Sequence, residues 1–493
     1  MNVTSFEQFA ELAGKGSFVP VCKEIMADLL TPVSAFLRVA GHSDFAFLLE
    51  SVEGGEQVAR YSFLGKDPLL VLRSVNGRAV VERAGEVVQR DEPFLEVLRD
   101  LMSQYRAPEV PGLPRFAGGA VGYLGYDAAR WFEPALAGPP GAGDDGREVP
   151  AAFMLFDSVL AFDHARHRIL IIANAHVTPG ADLQALYRFA RARIDFLERE
   201  LAAEASGQIP HPAGPARFES NTTRERFVEM VEDAKRHIAA GDVYQVVLSQ
   251  RFEASLQVDP FRVYRALRHV NPSPYMFFLR IGKTAIAGAS PEMLVRVEGT
   301  RVETRPIAGT RPRGADADED RRLAEELKAN EKERAEHVML VDLGRNDIGR
   351  VSEYRSVRVP LLMAVEHYSH VMHLVSVVEG RLAPGNGPLD ALAACFPAGT
   401  VSGAPKVRAM QLIAEIEQVP RGLYAGAVGY IDCSGRLDFC IAIRTVLVEG
   451  ERAAVQAGAG IVADSDPDAE YEESMAKAEA LLAAVNMAGR ADW

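Results

Sequence analysis

Tyr275-Met276-Phe277-Phe278-Leu279-Arg280-Ile281-Gly282-Lys283-Thr284-Ala285-Ile286-Ala287-Gly288-Ala289-Ser290-Pro291-Glu292-Met293-Leu294-Val295-Arg296-Val297-Glu298 contains three apolar runs separated by short turns. Tyr275–Ile281, Thr284–Ala289 and Met293–Glu298 read as strands. The turns between them leave no room for the crossover helix that parallel pairing requires, so antiparallel pairing is favoured. Working outward, a strand at Val243–Gln250 and a helix near Pro260–His269 precede the stretch. Residues 1–200 alternate apolar runs with turns, as in Ala46–Ser51, Tyr61–Gly65, Leu69–Leu72, Phe153–Phe162 and Ile169–Ala175, and a helix is expected over Ala181–Glu204. Such a succession fits an α+β protein better than a repeated βαβ scheme. Ala205–Pro215, polar and rich in Pro and Gly, marks a linker expected over 205–220 between segments 1–204 and 221–487. Pro134–Pro150 is expected as an exposed loop.

The chain has 493 residues, is 48% hydrophobic and carries a formal net charge of −14. That balance argues against a nucleic-acid-binding protein, which concentrates Lys and Arg on one face. The four cysteines, Cys22, Cys395, Cys433 and Cys440, form no C-x-x-C pair, so neither a disulfide framework nor a zinc knuckle is indicated. Met1–Gln8 has no basic region leading into an apolar core, and no run reaches about 18 apolar residues. The expectation is a cytoplasmic protein in a reducing compartment, without a membrane or nucleic-acid partner.

Several constellations carry chemistry. Glu331–Asp347 reads as a helix that puts Glu333, Glu336 and His337 on one face and stops near Gly344. Farther on, Asp466 suits an N-cap and Pro467 the first helical position, which places Glu470 and Glu473 one turn apart. Each acidic pair alone fits a solvated face or dipole compensation; facing each other, they would make an all-oxygen site for Mg²⁺. Three glycine-containing loops, Pro306–Gly314, Phe396–Lys406 and Gln456–Gly460, suit either tight turns or close approach of backbone N–H groups to an anion. None matches a nucleotide-binding fingerprint. Arg444, in the apolar run Cys440–Leu447, is costly to bury unless it meets a carboxylate or phosphate. His373 suits a core or a catalytic position. This inventory describes a metal-dependent enzyme acting on a small carboxylate.

Gly288-Ala289-Ser290-Pro291-Glu292, Pro306–Gly314, Glu331–Asp347, Gly399–Lys406, Ala442-Ile443-Arg444-Thr445 and Gly458-Ala459-Gly460 together, in this order, resemble the chorismate-utilising enzymes, most closely their anthranilate synthase component I branch. The resemblance runs from Leu48–Ser51 to the C-terminal helix. It implies a large antiparallel β-sandwich core flanked by helices, with 1–204 a regulatory domain and 221–487 the catalytic, chorismate-binding domain. It also implies the reaction of chorismate with ammonia to give anthranilate and pyruvate, the first committed step towards tryptophan. Glu336 and Glu473, with Glu333 and Glu470 beside them, would hold Mg²⁺. Arg444, Tyr424 and the backbone of Gly458, Ala459 and Gly460 would grip the enolpyruvyl carboxylate, while Gly309 and Thr310 line the ring site. Glu292 would be the general acid; His373, supported by Thr400, would assist pyruvate elimination. Glu50 and Ser51 with the segment Asn271-Pro272-Ser273-Pro274-Tyr275-Met276 would form a tryptophan pocket for feedback inhibition, although Leu48–Ser51 also suits a plain core strand and Asn271–Pro274 a turn.

Two positions bear on the nucleophile. Relatives that activate water carry a lysine where this chain has Gln245, and an amide cannot serve as that base. Aminodeoxychorismate synthases, the rival reading, carry a lysine nucleophile where this chain has Ala308. A second rival, a non-catalytic binding protein, would need damage in the catalytic set. Cys433 sits in Ile431-Asp432-Cys433-Ser434-Gly435 and lacks the glycine-flanked elbow of a glutamine amidotransferase, which implies a separate glutaminase subunit as ammonia source.

Overall fold

The computed structural model describes residues 3–51, 60–136, 151–204, 216–368 and 371–490. Residues 205–215 of the expected linker and 137–150 of the expected Pro134–Pro150 loop lie outside them. Two twelve-stranded sheets form the centre, and every strand pairing within them that the described residues make is antiparallel.

The three runs of the opening stretch part company. Tyr275–Ile281 and Thr284–Ser290 form a hairpin in the first sheet, with Ile281 opposite Thr284. Met293–Glu298 instead crosses to the second sheet and pairs with Leu437–Ile441. A return crossing lies beside it: after Leu437–Ile441 in the second sheet, the chain resumes as Thr445–Glu449 in the first. Arg444 was expected inside one continuous strand. It occupies the bend between two strands, at a left-handed φ of 49°, because the chain changes sheets there. The crossings are tied together: Ile441 N donates to Glu292 O at 3.1 Å, and Ala289 N to Arg444 O at 3.0 Å.

Alternation along these strands builds the layers. In Tyr275–Ile281, Phe277, Leu279 and Ile281 enter a core shared by both sheets, with Phe47, Met154, Val428 and Cys440. Met276 and Phe278 face the other way, onto helices Pro32–Val39, Pro260–Val270 and Pro467–Ala488. The second sheet buries its outer face against helices Phe94–Ser103 and Pro388–Cys395. Burial on both faces explains why the strands read as near-continuous apolar runs.

Both sheets draw on both segments of the chain. Phe45–Glu50 pairs with Tyr275–Ile281, and Gly119–Leu124 with Ala427–Asp432. Helix Glu331–Gly349 passes through Gly344, which is buried against Thr304 and Pro306, so the expected stop there is five residues early. Two of the expected glycine loops are strands: Ile307–Pro312 pairs with Val371–Arg381, and Arg452–Ile461 with Gln245–Ser255. Among the described residues no helix is long and apolar enough to cross a membrane.

Candidate active site

The two sheet crossings open onto a cavity of about 240 Å³ lined by Glu292, Thr310, Glu336, His373, Thr400 and Arg444, with Tyr424, Gly458 and Gly460 completing its wall. Glu292 reaches it because Pro291-Glu292 is the turn between sheets. The residue is 8% exposed, and burial pushes its pKa up to about 8. The Thr400 hydroxyl opposes that shift and is otherwise unpaired among the described residues. A carboxyl so placed is protonated at neutral pH and can donate.

His373 lies on strand Val371–Arg381 opposite Thr310. Its Nδ1 donates to the Gly309 carbonyl at 2.9 Å, which fixes the tautomer with Nε2 unprotonated. The Thr310 hydroxyl is 3.1 Å from the same nitrogen. Burial, aided by nearby Arg444, holds the imidazole below its ordinary pKa, hence neutral and basic. The carbonyl is available because the register shifts between Ala308 and Thr310, with Gly309 at a φ of 67°. Gly309 therefore sits behind the cavity as a bulge and orients His373. Thr400, expected to support His373, stands beside Glu292 instead.

Gly458 and Gly460 face the cavity from strand Arg452–Ile461; Ala459, one residue out of phase, points into the opposite core. Side chains are excluded there by close approach. A Cβ on Gly458 would lie 2.3 Å from Leu248 O, and one on Gly460 2.6 Å from Gln245 Nε2. Tyr424 stands over the guanidinium of Arg421, whose pairing with Glu417 at 2.7 Å is fully buried. Arg421 also donates to the carbonyls of Val401 and Val247, both at 2.7 Å, and so fastens the Gly399–Val401 turn to the strand behind it.

The four carboxylates expected to hold a metal gather at one side. Glu336 lines the cavity; burial raises its pKa, and the charges of Glu333 and Glu473 add to the rise. Burial and Glu473 act likewise on Glu470. Residues 137 positions apart in sequence are thus electrostatic neighbours. Glu333 pairs with Arg311 at 3.2 Å and Glu473 with Lys477 at 2.7 Å. Among the described residues no three His, Cys, Asp or Glu side chains converge at metal-binding distance. The donor set still suits a hard divalent cation, since a buried carboxylate crowded by like charges is stabilised by one. His337, on the same helix, turns into the core and bonds Ser376 at 2.6 Å.

Sequence reasoning passed over Lys477, which lines the cavity and donates to the Gly458 carbonyl at 3.1 Å. Its spacing of four from Glu473 was the available signal. Gln456 was also missed; its amide donates to Ser249 at 2.8 Å at the cavity wall. Nothing local distinguishes it.

A second cavity, of about 310 Å³, lies between the sheets and is lined by Glu50, Ser51, Pro274, Tyr275 and Met276 together with Arg296. Glu50 is held by Tyr264 and by Arg268 at 3.2 Å. Tyr275 donates to Asp438 at 3.0 Å. The Ser51 hydroxyl is buried and has no hydrogen-bond partner among the described residues.

An acid held neutral, a neutral histidine and a buried arginine around one cavity, with carboxylates at its edge, set the context for comparison with known proteins. Residues 45–483 match the family described as chorismate binding enzyme, and the chain belongs to that family. It is 48% identical to anthranilate synthase component 1 of Acetivibrio thermocellus over 99% of both chains. It is 48% identical to the Streptomyces coelicolor protein of the same name, over 97% of this chain and 91% of the other. Among solved structures, anthranilate synthase component I from Streptococcus pneumoniae is 40% identical with a TM-score of 0.74, covering 93% of this chain and 99% of that one. The menaquinone-specific isochorismate synthase of Escherichia coli shares the fold, with a TM-score of 0.71 at 19% identity over 98% of this chain and 99% of that one.

Proposed function

We propose that the chain acts as anthranilate synthase component I in the cytoplasm, converting chorismate and ammonia to anthranilate, pyruvate and water. The observation that carries this reading is the composition of the first cavity: a protonated Glu292 faces the same space as His373 and Arg444, and Gln245 and Ala308 offer no lysine nucleophile or base. Arg444, Tyr424 and the Gly458–Gly460 backbone bind the enolpyruvyl carboxylate. Thr310 borders the ring. Ammonia adds at C2 while Glu292 gives its proton to the departing C4 hydroxyl, which leaves as water. His373 Nε2 then takes the C2 proton as the C3–O bond breaks and the ring becomes aromatic; the departing enolpyruvate takes up a proton at its methylene carbon to give pyruvate. Glu336 and Glu473, with Glu333 and Glu470 adjacent, hold Mg²⁺, which when bound supplies positive charge for the ring carboxylate.

Ammonia comes from glutamine through a separate glutaminase subunit; the four cysteines of this chain are buried or half-buried, and none stands on a nucleophile elbow. Tryptophan binds the second cavity, where the Ser51 hydroxyl, without a partner among the described residues, and the Glu50 carboxylate offer contacts for an amino acid, and it inhibits by favouring one arrangement of the molecule. The test is purified protein with chorismate, Mg²⁺ and ammonium salt, followed by anthranilate fluorescence. Anthranilate is the expected product. Aminodeoxychorismate, or no product from a folded sample, would overturn the assignment.

A further inference from the structure

Against the substrate cavity lies a third, of about 470 Å³, and among the described residues Tyr424 and Gln456 are the two that line both. Tyr424 is the fixed part of this partition, held against the buried Arg421 guanidinium. Gln456 is 7% exposed and secured at one end only. The Glu417 carboxylate accepts from the Ser249 hydroxyl at 2.9 Å, which leaves the Ser249 oxygen to accept from Gln456 Nε2 at 2.8 Å. The amide is thereby oriented with Oε1 at its free end, buried and without a hydrogen-bond partner among the described residues. A side chain held by a single bond is the movable part of the wall.

Strand Arg452–Ile461 puts the two spaces in line. Its inward residues run Gln456, Gly458, Gly460, and at about 3.3 Å per residue the partition stands roughly 13 Å from Gly460. Beside Gly460 is Gln245, whose amide reaches Glu336 at 3.5 Å. The carboxylates are therefore at the end away from the partition, whereas Tyr424 belongs to the partition and Gly458 lies next to it. In the other direction the third cavity continues along Ala454 to a rim where the Arg452 side chain is 56% exposed. Its walls carry Arg73, Arg251, Arg421 and Arg452 against Glu253 and Glu449. With Arg421 already paired to Glu417, three arginines face two glutamates, and the ion pair of Arg73, with Glu82, is long at 3.9 Å.

We propose that the third cavity is the way out for pyruvate, with Gln456 as the side chain that lets it pass. The inference rests on the reading of the first cavity given above. In that reading the enolpyruvyl group is freed against the partition while anthranilate is still held by its ring carboxylate at the Glu336 end. The ring product then obstructs the route past the carboxylates. A swing of Gln456 breaks one hydrogen bond and opens a short path into a space whose arginines attract a small carboxylate.

The test follows both products in one reaction of the intact protein at saturating free ammonia, anthranilate by fluorescence and free pyruvate by a lactate dehydrogenase couple. Ala454 lines the third cavity and not the first, so Ala454→Trp narrows the exit without touching the substrate. In the unaltered protein the two products appear together. In Ala454→Trp the first turnover of anthranilate is expected within about twofold of the unaltered rate, the steady state about tenfold slower, and pyruvate behind anthranilate by one equivalent of enzyme. Arg73→Glu is expected to slow the steady state about threefold, an effect that shrinks in added salt, and it decides the matter alone if Ala454→Trp does not fold. Products in step and kcat within twofold in a folded variant overturn the proposal. A raised KM for free ammonia with pyruvate in step would make the cavity an entrance and overturns it too. Absence of anthranilate from the unaltered protein overturns the reading of the first cavity, and the exit falls with it.

Discussion

Glu292 pays for its proton with burial: the ordinary carboxyl value of 4.5 becomes about 8, so the group is an acid over the range in which free ammonia is also present. Glu292→Gln removes the proton donor and keeps the shape, and kcat is expected to fall by about 10²–10⁴ in the anthranilate assay. Expressed per free ammonia, the alkaline limb of the unaltered enzyme should fall with an apparent pKa near 8. The same shift bears on stability. A folded-state pKa above the unfolded one stabilises most at low pH, and that contribution fades as pH rises from about 4.5 to about 8. Glu292→Gln should abolish this decline, gaining on the order of 4 kcal/mol relative to the unaltered protein between pH 5 and 8. Urea unfolding of both at several pH values measures it. At this scale the sequence was legible where a residue type implies its own chemistry. Glu292, His373, Arg444 and Glu336 all reach the cavity. It was illegible where a residue works through backbone or an unremarkable amide: Gly309 supplies a carbonyl to His373, and Gln456 donates to Ser249 through an amide that could stand anywhere on a polar surface.

Among the elements, strand Arg452–Ile461 shows how geometry separates two identical substitutions. A methyl on Gly458 meets the Leu248 carbonyl, which belongs to the paired strand and cannot move aside; one on Gly460 meets the far end of a glutamine side chain, which can. Gly458→Ala is therefore expected to destabilise by about 1–3 kcal/mol in urea unfolding. Gly460→Ala should leave the unfolding midpoint nearly unchanged and still depress turnover, because it displaces the Gln245 amide that reaches Glu336 at 3.5 Å. Equal loss of stability in both would contradict the distinction. A helix end with a side-chain cap was legible: Asp466 accepts from Ala469 N at 3.0 Å. Glycine-rich strands were not, because the residue that permits a loop also permits two backbones to touch. In Glu331–Gly349 the same ambiguity placed a helix stop at a glycine that packs against Thr304.

For the whole molecule, the antiparallel class was readable from turn lengths, whereas the partition of strands between two sheets was not. A turn of two residues between Ser290 and Met293 is long enough to close a hairpin or to change sheets, and only the partner strands decide. Those partners come from both segments, so residues 221–487 alone would leave Tyr275–Ile281 and Ala427–Asp432 each without one neighbour. Expressed separately, that segment is expected to bind a hydrophobic dye and to lack near-UV dichroism, and to recover both properties of the native state when mixed with residues 1–204. A cooperatively unfolding, dye-silent segment 221–487 would contradict this. The adjoining sheet crossings carry a last consequence. Glu292 and Arg444 each sit where a strand leaves one sheet for the other, so the gap between them works as a caliper on the stacking of the two sheets. Moderate hydrostatic pressure, which favours loss of internal void, should alter turnover before it alters secondary structure, and filling the second cavity with a ligand should blunt that response.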